Sequence, residues 1–85
     1  MVDTRLRLRT YISETFFADG YSDQASFLKT GIIDSTGMME LVAFLESDFG
    51  VKVEDNELVP ANLDSIENLV AFLERRSAAR PAAVG

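Results

Sequence analysis

Eighty-five residues, 47% of them apolar, with a net charge of −6, describe one small domain that can bury a core but offers no basic surface to nucleic acid. The chain has no cysteine and no histidine, which excludes disulfides, thiol catalysis and the commonest general base and metal ligand. No apolar run can span a membrane, and Met1-Val2-Asp3-Thr4-Arg5 lacks a signal-peptide core, so a cytoplasmic location without membrane insertion is expected.

The first helix is predicted from about Thr4 to Phe17. Leu8, Ile12 and Phe16 recur at a spacing of four, with Arg7, Thr10 and Glu14 on the polar side. Arg5 falls on the apolar side, where its stem can cover the core. Asp3 or Thr4 is placed to cap the start, and Gly20 suits the exit. Residues 19–33 read as a long connection, too apolar at Tyr21, Phe27, Leu28, Ile32 and Ile33 to lie free in solvent. A second helix is predicted from Ser35 or Thr36 to about Phe49, ended by Gly50, with Met38, Leu41, Val42, Leu45 and Phe49 as its core stripe. Val51-Lys52-Val53 is a short extended link, and Asp55 to Val59 reads as one short helix before Pro60. The last helix begins at Asp64 or Ser65, where Asp64 and Glu67 have capping-box spacing, and buries Ile66, Leu69, Val70, Phe72 and Leu73. The expectation is an all-α bundle of three main helices and one short one, spanning residues 1–77, with 78–85 as a frayed tail.

Two segments look alike: Asp34-Ser35 before Leu41 to Glu46, and Asp64-Ser65 before Leu69 to Glu74. The Asp-Ser pairs lie 30 apart and the apolar blocks 28 apart, so two similarly capped helices explain the likeness better than a repeat.

Most Asp-Ser pairs are helix caps, and Ser65 reads as one. Ser35 differs. Its Gly31-Ile32-Ile33 approach can anchor the loop and leave the hydroxyl outward. Gly37, costly in a first helical turn, suggests that space beside Ser35 matters. Ser35 would also stand at a helix N-terminus, which favours anions. Without a neighbouring base, Ser35 is a poor nucleophile on its own, and no acid–base pair with a cleft can be assembled, so no catalytic residues are assigned and an enzyme is not expected.

The run Gly31-Ile32-Ile33-Asp34-Ser35, then Met39-Glu40-Leu41, Asp48-Phe49-Gly50 and Asp64-Ser65-Ile66, resembles the acyl carrier protein family over residues 4–76. The resemblance implies that Ser35 carries 4'-phosphopantetheine, added from coenzyme A by a phosphopantetheinyl transferase, with Asp34, Thr36 and Gly37 around the attachment. The imported thiol would hold an acyl or aminoacyl group as a thioester, which a chain without cysteine cannot do itself. An ATP-dependent acyl- or aminoacyl-carrier ligase and downstream acyl-transfer enzymes would be its partners, and the carrier is expected to be a monomer. Thr36 and Gly37 depart from the fatty-acid carriers, and the Gly-Gly of peptidyl carriers is absent. The layout looks closer to D-alanyl and other stand-alone aminoacyl carriers.

Charge is uneven. Residues 1–30 are neutral overall, whereas residues 31–74 hold ten carboxylates against Lys52 alone. Met39, Glu40, Ala43 and Glu46 are the candidate partner face, an adaptable apolar residue within an acidic ring. The competing reading is an unmodified acidic interaction module in which Ser35 only caps its helix. Calcium binding is not supported and no metal ligands are assigned, since Asp19 to Asp23 and Glu54 to Glu57 both fail EF-hand spacing.

Overall fold

The computed structural model describes residues 3–79, with side chains through Arg76. Asp3 caps α1 (Thr4–Phe16), its carboxylate accepting the N–H groups of Arg5 at 3.0 Å and Leu6 at 3.5 Å. Leu8 and Ile12 are fully buried, as their spacing requires. The helix stops one residue early: Phe17, not Gly20, is the left-handed C-cap, with φ 56° and a side chain 90% exposed. Arg5 does not cover the core. It is exposed and pairs with Asp23 at 3.0 Å, which Arg9 also engages at 2.6 Å. That shared carboxylate pins the expected apolar connection onto α1.

The connection contains an element its sequence did not announce. Ser26 caps the four-residue α2 (Phe27–Thr30), its hydroxyl accepting the Lys29 N–H at 3.0 Å, and Phe27 is fully buried. At four residues, α2 is too short to show a periodicity. Gly31 closes it at φ 79°, a conformation glycine adopts without strain.

α3 (Ser35–Phe49) has the predicted bounds and ends at Gly50. Leu41 and Leu45 are fully buried and Val42 nearly so, while Met38 and Phe49 are half-buried. Beside this stripe runs an aromatic seam: Tyr11 of α1 stacks on Phe44 at 3.8 Å, with Phe16 and Phe49 edge-on at its two ends. Such pairs add roughly 0.5–1.5 kcal/mol each to simple burial.

The single short helix expected over Asp55–Val59 is instead a 3₁₀ turn (Asp55–Glu57) followed by α4 (Pro60–Leu63). Pro60 opens a helix rather than ending one, because its missing N–H is not needed at the first position. The last helix, α5 (Ile66–Ala79), buries Ile66, Leu69, Phe72 and Leu73, with Val70 half-buried. Ser65 caps it, its hydroxyl accepting the Asn68 N–H at 3.0 Å. The Asp64–Glu67 capping box does not form, because the Asp64 carboxylate is turned toward α2.

The described residues thus form three long helices, two single-turn helices and a 3₁₀ turn around one core, with no strand among them. α5 runs through Ala79, and residues 80–85 of the expected tail lie outside the described residues. No helix among the described residues is long and apolar enough to cross a membrane.

Candidate functional site

Asp34, in extended conformation, is the N-cap of α3. Its Oδ1 accepts the Gly37 N–H at 2.7 Å and its carbonyl accepts the Met38 N–H at 2.8 Å. Ser35 is therefore the first residue of the helix, at the positive end of its dipole, and its side chain is exposed. Part of the favour that this end offers an anion is already taken by the Asp34 carboxylate. Ser65, the other serine weighed, is 4% exposed and serves only as a cap.

Ser35 lies on the lip of an apolar pocket of about 180 Å³, lined with Leu28, Met38, Met39, Leu58, Val59, Pro60 and Leu63. Four large apolar side chains keep part of their surface in solvent there: Leu28, Met39, Leu58 and Val59. These side chains gather around one pocket rather than lying scattered over the surface. Sequence reasoning found Met39 and missed the other lining residues as a group. Leu58, Val59 and Pro60 lie outside any long periodic helix, and Leu28 is on the helix that periodicity cannot show. An available signal was the run Leu58-Val59-Pro60-Ala61 between Glu57 and Asn62, apolar without an amphipathic reason.

The remaining candidates separate. Thr36 is exposed next to Ser35. Gly37 is buried and faces away from the hydroxyl. A Cβ on it would stand 2.8 Å from Phe16 Cε1 and 3.0 Å from Ile33 Cγ2. The space that glycine preserves is therefore on the core side, where α1 meets α3, and not beside Ser35. Met39, Glu40 and Ala43 are exposed on α3. Glu46 is exposed too, but its Oε2 accepts the Val53 N–H at 2.9 Å, tying α3 to the link that follows it. Glu40 presents its carboxylate outward while its backbone carbonyl accepts the Tyr11 hydroxyl at 3.2 Å. Burial, with the Glu40 charge adding and a Thr15 hydrogen bond opposing, pushes the Tyr11 phenol above its usual range. No group of three acidic, histidine or cysteine side chains among the described residues could hold a metal ion.

An exposed serine hydroxyl thus opens the central helix of a small α-bundle, beside an apolar pocket. The family model described as "Phosphopantetheine attachment site" matches residues 7–73. The chain is also similar to the "Probable acyl carrier protein PigG" of Serratia sp. (strain ATCC 39006), 32% identical over 60 residues, covering 71% of this chain and 69% of that protein. The chain belongs to the phosphopantetheine-binding carrier protein family, whose prosthetic group is covalently attached 4'-phosphopantetheine.

Proposed function

We propose that Ser35 is the attachment residue, and that the chain is a cytoplasmic carrier, not a catalyst, holding an acyl or aminoacyl group for partner enzymes. The observation that carries this reading is the placement of the Ser35 side chain: exposed, at the first position of α3, on the lip of the apolar pocket. Its surroundings fit the prosthetic group. The hydroxyl is open to a transferase, a phosphodiester there would meet a helix N-terminus, and apolar side chains flank the space beyond. When bound, the group supplies the thiol that the sequence lacks.

This chain's own residues supply position and recognition. Asp34 caps α3 and fixes where Ser35 stands, while Thr36 borders the attachment. Met39, Glu40, Ala43 and Glu46 form the docking face, with Met39 also lining the pocket. The expected cargo is an amino acid or short acid, since the attachment layout looks closer to stand-alone aminoacyl carriers than to fatty-acid carriers. Partners are a phosphopantetheinyl transferase, a carrier ligase that loads the cargo, and the acyl-transfer enzymes that collect it.

The test is intact mass after incubation with coenzyme A and a phosphopantetheinyl transferase. The wild-type chain and Ser65→Ala should gain one phosphopantetheine, and Ser35→Ala none, while circular dichroism shows all three helical. No gain by the wild-type chain would leave the unmodified interaction module as the function.

A further inference from the structure

One residue ties the segment leading to Ser35 to the far wall of the pocket. Asp64 ends α4, and its Oδ1 accepts the Leu28 N–H at 2.9 Å. Its Oδ2 accepts the Ser26 hydroxyl, and its backbone carbonyl accepts the Phe27 N–H at 2.8 Å. Phe27 passes the tie onward, because its own carbonyl accepts the Ile33 N–H at 3.2 Å. Ile33, only 1% exposed, directly precedes Asp34 and Ser35. The pocket is held by the same residue: Leu28 of α2 lines one part of it, and Leu63, next to Asp64, lines another. Capping of α5 does not explain the carboxylate, since Ser65 performs that task.

We propose that Asp64 is a positioning residue for the attachment site. Through α2 and Ile33 it fixes the approach to Ser35 and the Leu28 wall relative to α4, so the hydroxyl meets the transferase in one orientation. This rests on the reading of Ser35 as the attachment residue. Charge is not what Asp64 contributes. Asparagine has nearly the same shape, keeps Oδ1 for the Leu28 N–H, and can donate its amide to Ser26 Oγ. Alanine removes both acceptors and leaves the Leu28 amide and the Ser26 hydroxyl without the partner they have here.

The experiment compares wild type, Asp64→Asn, Asp64→Ala and Ser26→Ala as substrates of a phosphopantetheinyl transferase with coenzyme A, separating kcat from KM for the carrier. Amide hydrogen exchange is measured at Leu28, Ile33 and Leu45 of each unmodified chain. Val53→Ala, which trims a buried side chain outside this network, controls for general loss of stability. Asp64→Ala should lose about tenfold in kcat, the order expected when hydrogen bonds that orient the approach to a reacting hydroxyl are removed. Exchange at Leu28 and Ile33 should quicken by a similar factor, with Leu45 unchanged. Ser26→Ala should fall between, and Asp64→Asn and Val53→Ala should keep the wild-type kcat. Should Asp64→Ala fail to fold, Ser26→Ala and Asp64→Asn still decide, since the first must slow transfer and the second must not. Equal losses in Asp64→Asn and Asp64→Ala, seen in KM, would overturn positioning in favour of a docking charge. Wild-type kcat and wild-type exchange in Asp64→Ala would overturn it outright. A wild-type chain that takes no phosphopantetheine would instead sink the Ser35 reading, and exchange at Leu28 and Ile33 would still judge the tie.

Discussion

Replacing Gly37 with alanine sets helix propensity against packing, and the structure gives the sign. Alanine is favoured over glycine in a helix interior by about 1 kcal/mol, and nothing in the helical backbone at this position forbids a side chain. Space does. The added Cβ would come 2.8 Å from Phe16 Cε1, 3.0 Å from Ile33 Cγ2 and 3.3 Å from Asp34 Oδ1. The Phe16 ring is only partly buried and can yield, but Ile33 is 1% exposed and β-branched, with little freedom to turn. Overpacking of this kind costs roughly 1–3 kcal/mol, so the balance is a net loss of about 1 kcal/mol. For a domain of this size that lowers Tm by about 4–8 °C. Thermal unfolding followed by circular dichroism measures it. Because the same Cβ presses on the carboxylate that caps α3, phosphopantetheine transfer to Ser35 should also slow below the melting range. An alanine variant more stable than wild type would refute the reasoning, showing that α1 and α3 can separate without cost.

Two further outcomes follow from charge and burial. Glu40→Lys should slow modification and loading more than Glu14→Lys on α1, mainly in association rate and with a deficit that shrinks as salt screens charges beyond about 10 Å at 0.1 M; Met39→Glu should weaken docking with little salt dependence, and rates measured across ionic strength distinguish the two. Burial, the largest cause in each case, raises the phenols of Tyr11 and Tyr21 above their ordinary value, so the folded chain holds those protons more tightly than the unfolded one. Their contribution is full below about pH 10 and is lost as pH rises through the folded values; denaturant melts should show stability falling on the alkaline side, with Tyr11→Phe and Tyr21→Phe each flattening the decline.

What the sequence made legible was whatever repeats along a long helix. Leu8 with Ile12, and Leu41 with Val42 and Leu45, fall on faces that only burial can satisfy, and the caps Asp34 and Gly50 stand at the two ends of a fifteen-residue helix. What it hid was short or reciprocal. α2 and α4 are four residues each, less than two turns, so no amphipathic pattern can develop in them. Asp64 reads locally as a cap and is taken by a partner 36 to 38 positions away, a competition that local spacing cannot register. The same blindness moved the reason for Gly37 from the attachment side to the core side. Ser35 was legible as a candidate because its neighbours follow a family pattern. The pocket beside it was not, because its walls come from α2, α3 and α4 and from the turn before Pro60, none of which carries it alone.

α3 is the element on which both demands meet, and its residues divide them cleanly. Gly37, Leu41, Val42 and Leu45 are buried in the core, whereas Ser35, Met39, Glu40 and Ala43 are exposed. Glu46 sits between the two classes: its carboxylate is exposed on the acidic side yet accepts the Val53 N–H that brings the chain off α3. Reversing its charge therefore removes a backbone partner as well as a charge of the proposed docking face, whereas reversing Glu40 leaves the Tyr11 bond intact, since that bond uses the Glu40 carbonyl. If the proposed docking face is right, Glu40 and Met39 are accordingly the positions where recognition can be altered without touching the fold. Gly37 is where the fold can be altered beside the proposed attachment residue, and Asp34, which caps the helix and precedes the serine, is where fold and attachment cannot be separated.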